Sequence, residues 1–419
     1  METHSVQTFS TPTTLQTDLS LLLRALNTRF SQAREAIDPG RLKQILGHPH
    51  LSEYTPRQTL RGLDKCVPAC GRYAQTLFTR TVLQDHHYQR EQMIANCEEI
   101  FEALAAENPV AVAQELPRVD FKRITTDEFF ETYVQRPHPV VIENVGHDPS
   151  MYQLDALVAR YGDDIVPMMR IDNGQNYDGP LSDLLEGKSY LANSDRLFVN
   201  HPELVDNLYS AKFTDYTRMT RISSQLFISN GGAGSPSHFG KIANTFYQLE
   251  GMKKWSLVDP AFLYLVYPLL LPGDAVTALH WQDETDHERC PLFRFCPRYE
   301  TVLRPGDVLW NPYYWFHSVK NITKRSVAVA DRWFGTPGKD FQSPLPLYDL
   351  ATTLCPQSVD MDTYIQWMMI QQNITKKQIP WYEKVSHGRR YQAFDSAYNA
   401  AAWGLQPPDL SKGVFHHPD

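Results

Sequence analysis

A surplus of positive charge, a long apolar run and a cysteine framework are all missing from this 419-residue chain. Lys and Arg number 40 against 48 Asp and Glu, giving a net charge of −8 and a pI near 6.0. Nothing in that balance attracts nucleic acid or an anionic membrane, so neither is expected as a partner. The longest early apolar run, Leu19 to Leu23, is too short to cross a bilayer and follows Glu2 and Asp18 instead of a basic leader. No secretory signal is expected. Cysteines number 6, and only Cys66/Cys70 and Cys290/Cys296 lie close together, which excludes a disulfide scaffold and fits a reducing cytoplasm. Cys66 and Cys70 would make half of a zinc site, but no second Cys/His pair accompanies them at suitable spacing, so buried thiols are the preferred reading. What is abundant is aromatic: 20 Phe, 21 Tyr and 8 Trp in a chain 42% hydrophobic describe a folded globular protein with a large core.

Apolar positions at helical spacing predict an amphipathic helix over 15–37, a shorter one over 73–83 and another through Met93, Cys97, Ile100, Phe101 and Leu104, stopped by Asn108-Pro109. A packing or dimerisation module is the bland reading of this region; help in recognising a larger substrate is the sharper one. The texture changes at Pro117. A short helix capped by Thr126 or Asp127 precedes a strand at Pro139-Val-Val-Ile142. The stretch 172–207 reads as loops around a short helix at Leu181 to Glu186, and strand Ile222 to Ser229 leads into Asn230-Gly-Gly-Ala-Gly234. That Gly-rich loop lacks the following helix and Lys-Ser/Thr of a phosphate-binding loop. Between Ala261 and Arg298 the chain is longer and more polar than a hairpin needs, and His280 to His287 reads as a solvated lid. Helices are expected again over 361–372 and 391–403.

Two stretches carry the chemistry: Ser235-Pro-Ser-His-Phe-Gly-Lys-Ile-Ala-Asn244 and Pro305-Gly-Asp-Val-Leu-Trp-Asn-Pro-Tyr-Tyr-Trp-Phe-His317. In an extended chain His238, Gly240 and Asn244 share a face. Lys253 shares its parity with Trp255 and Leu257, which turns a cation toward an apolar interior where it needs an anion. After His317, residues Val327, Val329, Asp331 and Trp333 share a face.

These registers resemble the JmjC, cupin-type core of iron(II)/2-oxoglutarate oxygenases, above all the asparaginyl-hydroxylase branch that modifies hypoxia-inducible factor. The resemblance runs from about Gln225 to Gly335 and includes the Asn-x-Phe-x-Gln-x-x-Gly run at Asn244, Phe246, Gln248 and Gly251. It implies an α+β protein: a double-stranded β-helix (jelly-roll, cupin/JmjC) core over 116–340, an N-terminal helical region over 1–115, and C-terminal helices over 341–419 that make a homodimer. It also implies His238 and His317 as metal ligands, Lys253 on the far carboxylate of 2-oxoglutarate, and Ser235, Asn244 and Asp331 as further cosubstrate contacts. The cofactors implied are Fe(II), 2-oxoglutarate and O2.

The family's metal-binding carboxylate is missing. Gly240 stands in its place, and Phe239 and Lys241 offer no oxygen. Three readings follow. In halogenating 2-oxoglutarate enzymes the carboxylate is replaced by Ala or Gly and chloride or bromide takes the vacancy, so a radical halogenase acting on an unactivated C–H bond is the leading expectation. A hydroxylase with water or an outside carboxylate such as Asp331 in that place is the second. A catalytically silent binding scaffold is the third. The substrate class stays open among small molecules, amino acids and carrier- or peptide-bound groups.

Overall fold

Alternating inward and outward side chains shape the strands among the described residues into two facing sheets. A computed structural model of the protein describes residues 62, 64–72, 86–107, 111–208, 210–231, 234–240, 242–266, 268–271, 274–277 and 291–335. The helices expected over 15–37, 73–83, 361–372 and 391–403, the polar stretch His280 to His287 and the C-terminal dimer region lie outside the described residues.

The strands are β1 (Gln114–Glu115), β2 (Arg118–Asp120), β3 (Val140–Glu143), β4 (Ile165–Arg170), β5 (Asn176–Pro180), β6 (Ser189–Ser194), β7 (Thr220–Ser229) and β8 (Gly234–Phe239). They continue as β9 (Ala243–Glu250), β10 (Lys253–Val258), β11 (Pro268–Leu271), β12 (Asp274–Thr277), β13 (Tyr299–Leu303), β14 (Val308–Asn311), β15 (Phe316–Asn321) and β16 (Ser326–Phe334). One sheet has the order β1-β13-β10-β15-β8-β12-β11 and the other β2-β3-β14-β9-β16-β7-β6-β4-β5. Successive strands cross between the sheets, β8 to β9 and β14 to β15 among them, which gives a jelly-roll core with helices around it.

Phe246, Leu309, Ala328 and Ala330 of one sheet meet Trp255, Leu257, Leu303 and Val319 of the other in the inner core. A second, larger cluster packs outside, where Val327, Val329, Tyr247 and Trp333 meet Tyr152, Leu204 and Phe213. Helix α1 (His86–Glu107) buries Ile100 and Leu104, and Phe101 packs edge-on to Phe295 at 6.2 Å. Its last residue precedes Asn108-Pro109, as the backbone restriction before proline requires. Cys66 and Cys70 are buried one helical turn apart, with sulfurs 3.8 Å apart.

Three local expectations are corrected. Helix α2 (Thr126–Phe129) is capped by Thr125, whose hydroxyl accepts from Glu128 N at 3.2 Å, not by Thr126 or Asp127. Within 172–207 the helical turn Leu181–Glu186 is present, but β5 and β6 and two short helices, α3 (Arg196–Asn200) and α4 (Glu203–Asp206), replace the expected loops. Asn- and Gly-rich strands hide their period because pairing, not composition, holds them. Finally, the stretch from Ala261 to Arg298, expected to be polar, is core at both ends: Ala261 to Val266 and Leu292, Phe293, Phe295 and Cys296 are buried, and β12 extends the site-bearing sheet by pairing Val276 with His238.

Candidate active site

His238 and His317 are directly opposed on neighbouring antiparallel strands, β8 and β15. Their ring centroids lie 4.2 Å apart, so one ion can reach a nitrogen of each. The Nδ1 of His317 lies 2.9 Å from the Trp315 carbonyl, which only accepts; Nδ1 therefore carries the proton and Nε2 keeps its lone pair. The Asn311 amide lies 3.3 Å from the same Nδ1. Trp255 stacks on His317 at 5.2 Å and 24°. Burial, then the neighbouring His238, hold His317 well below the ordinary imidazole range, so it is a neutral ligand-competent base.

Lys253 is 3% exposed and faces the same interior. Burial pushes it down to about 7, and no carboxylate lies within ion-pair range among the described residues. Its ammonium stands 5.9 Å from the centre of the Phe246 ring. Around it the inner face keeps buried polar atoms with no partner among the described residues: both amide atoms of Asn321, which pairs with Lys253 across β15, and Trp255 Nε1, Thr301 Oγ1 and Asn244 Oδ1. Each such atom costs about 1–3 kcal/mol when left unmet. A dicarboxylate cosubstrate fits this donor set, and the two opposed imidazoles fit a divalent transition metal.

The Asn-x-Phe-x-Gln-x-x-Gly run turns out to position Lys253. The Gln248 amide donates to the carbonyls of Glu250 at 2.6 Å and Gly251 at 3.2 Å, pinning the turn from β9 to β10. Gly251 has φ +69°, and a Cβ there would fall 2.0 Å from the Arg325 carbonyl oxygen, so only glycine closes this turn.

Ser235 reaches the interior through a β-bulge. It is three residues from His238, which by simple alternation would turn it outward. The register slips so that His238 pairs with His317 while Ser235 pairs with Val319, an inner-core residue. There it shares a hydrogen bond with Tyr190 of β6, a buried phenol whose pKa burial pushes up to about 12. Tyr190 joins Ser235 without any local sequence signal, because it enters from a strand hidden in the presumed loop.

Asp331 is placed on the other face. It is fully buried, accepts from the Ser224 hydroxyl, and adds to burial in raising the pKa of Tyr152 in the outer core. It therefore does not stand with the histidine pair, contrary to the expectation of a cosubstrate contact or outside metal ligand. The residue that faces inward is Arg332, the partner of Asn244 across β16 and β9. Parity was available in the sequence, since Arg332 shares its register with the inner-core residues Ala328 and Ala330. At Gly240 an added Cβ would press on the Ile242 carbonyl oxygen at 3.2 Å, a tight contact, and meets no other atom within 4 Å among the described residues.

A jelly-roll interior presenting two histidines and a buried lysine defines a cupin-type site. Residues 168–340 match the family model of the Cupin-like domain. Among relatives, human HSPB1-associated protein 1 is 28% identical over 157 residues, covering 36% of this chain and 32% of that protein. The tRNA wybutosine-synthesizing protein 5 of human is 33% identical over 109 residues (26% of this chain, 33% of the relative), and that of Danio rerio 29% over 162 residues (38% and 48%). The chain thus spans less than half the length of each of these relatives. No helix among the described residues is long and apolar enough to cross a membrane.

Proposed function

We propose that the protein is an iron(II)- and 2-oxoglutarate-dependent oxidative enzyme whose metal is held by His238 and His317 and whose cosubstrate is anchored by Lys253. The observation that carries this reading is the inner face itself, where a buried ammonium with no carboxylate in reach shares an interior with two opposed imidazoles. Similarity to a protein named for wybutosine synthesis in tRNA favours catalysis over a pure scaffold; the name of the other relative speaks of association with HSPB1. The substrate is taken to be a small molecule, an amino acid or a carrier- or peptide-bound group, given the net charge of −8.

Bound together, iron, 2-oxoglutarate and dioxygen supply an oxidant able to take hydrogen from an unactivated C–H bond. The chain's own residues position and shield. Lys253 receives the far carboxylate, with Ser235 and Tyr190 as hydroxyl donors and Asn244 beside them. Trp255 and Phe246, in edge-to-face contact at 4.8 Å, keep water from the histidine pair. Gly240 leaves open the place of a third protein ligand. Because the nearest acid considered for that place, Asp331, faces away, chloride or bromide is the favoured occupant and halogenation the favoured outcome. Hydroxylation, with water there, is the second reading.

The test is an anaerobic titration of the full-length protein with Fe(II) and 2-oxoglutarate, following the visible charge-transfer band with and without chloride. A band that shifts with chloride supports halogenation, and one indifferent to chloride supports hydroxylation. No band, with His238→Ala behaving like the parent, would overturn the enzyme reading. Lys253→Ala should raise the 2-oxoglutarate requirement by about tenfold or more; unchanged titration would remove Lys253 from its role.

A further inference from the structure

The inner face holds a second cation that the reading above leaves without a task. Arg332 is fixed from two sides: its Nε donates to Gln225 Oε1 at 2.8 Å and its Nη2 to Asn193 Oδ1 at 2.9 Å. Both acceptors are neutral amide oxygens; burial lowers the guanidinium pKa, and the charge of Asp331 acts on it in the opposite sense. Asp331, its neighbour in the chain, is turned through the sheet toward Ser224. A guanidinium carries five N–H donors, so its remaining edge is still available to a planar acceptor.

Arg332 stands at the mouth of the interior, whereas Lys253 stands in its depth. Asn193 is exposed, and Gln225, Phe227 and Arg332 are half-buried, while Lys253 is 3% exposed. The guanidinium carbon lies 6.0 Å from the centre of the Phe227 ring, which in turn packs on Phe246 at 5.6 Å. The mouth therefore offers a fixed cation on an apolar wall. The two cations stand by different rings, Lys253 by Phe246 and Arg332 by Phe227.

We infer that Arg332 reads the substrate, and that the substrate carries a carboxylate joined to an apolar body, the carboxylate on the free N–H edge of Arg332 and the body along Phe227. This rests on the enzyme reading above, in which Lys253 is already committed to the cosubstrate. An acid is preferred over a neutral hydrogen-bonding group because charge-assisted pairs are about twice as strong as neutral ones.

The experiment uses the full-length, metal-free protein and two probes that differ only in charge, hippurate and hippuramide, titrated calorimetrically beside 2-oxoglutarate. Hippurate is expected to bind about tenfold more tightly than the amide. Arg332→Gln should bring the acid down to the amide and leave 2-oxoglutarate unchanged, and Arg332→Lys should restore part of the preference. Lys253→Met should do the reverse, weakening 2-oxoglutarate and keeping the preference. Should Arg332→Gln fail to fold, Asn193→Ala, which loosens the exposed end of the clamp, should weaken the acid and not the amide. Equal binding of the probes, no binding of either, or a preference that survives Arg332→Gln overturns the inference. If Arg332→Gln weakens 2-oxoglutarate as much as Lys253→Met does, Arg332 belongs to the cosubstrate: the inference fails and the enzyme reading stands. If 2-oxoglutarate never binds while the acid preference depends on Arg332, the enzyme reading fails and the carboxylate site stands.

Discussion

The two faces of β9 and β16 come from the same strands and answer different demands. On the outer face Tyr247, Val327, Val329 and Trp333 are packed into the larger core, the Trp333 indole donates to Thr245 Oγ1 at 2.9 Å, and even buried Asp331 has the Ser224 hydroxyl. The inner face one residue away carries Asn244 and Arg332, opposite Lys253 and Asn321, with polar atoms that no described residue meets. One face is settled by folding, while the other is arranged for something that arrives afterwards. The contrast teaches that stability and chemistry are divided here by side-chain parity and not by domain.

Substitutions can break that contrast, beginning with the largest effect. Trp333→Ala on the settled face should cost roughly 3–5 kcal/mol, read by denaturant melting, because a fully buried indole leaves a cavity and an orphaned Thr245 hydroxyl. A loss under 1 kcal/mol would show that the outer face is less tightly packed than its burial indicates. Lys253→Met on the inner face should instead stabilise the ligand-free protein, by roughly 2–4 kcal/mol at pH 7. The sign follows from linkage. Lys253 is depressed from 10.5 to about 7 in the fold, so between those values the unfolded chain holds more protons and the parent grows more stable as pH rises. The gain from Lys253→Met should therefore be full below pH 7 and fade toward pH 10.5; melting curves across that range that run parallel would refute the burial of a chargeable group.

Gly251→Ala tests the link between the faces, since this turn sets the register of Lys253. Strain at φ +69° and the close Arg325 carbonyl should cost about 1–3 kcal/mol and weaken 2-oxoglutarate binding together. Loss of stability with cosubstrate affinity intact would separate the turn from the site. The smallest effect is expected for Asn321→Leu, which replaces two unmet amide atoms by an apolar side chain and should be neutral or stabilising by about 1 kcal/mol. A clear destabilisation would mean that the amide is satisfied in solution.

Parity explains both the success and the failure of reading the site from residues. Lys253 turns inward as alternation along β10 predicts, whereas His238 and Asn244, expected on one extended face, stand on two strands of different sheets. Ser235 was reached by resemblance alone, since a bulge reverses its parity. Asp331 was misplaced by one position, and its neighbour Arg332, an inward cation, passed unnoticed. Tyr190 had no signal at all, because β6 lies in a stretch rich in Asn, Asp and Gly whose strand character comes from pairing with β7.

By itself the sequence determined which residues are available, the histidines at 238 and 317, Lys253 and a glycine at 240, because residue identity is a property of the chain; the jelly-roll class came through the family resemblance that those residues carry. Only the tertiary structure decided which face each side chain occupies and which groups meet. Bulges, crossovers and cross-sheet packing fix those through contacts between residues as far apart as Gln225 and Arg332, and no local pattern encodes them.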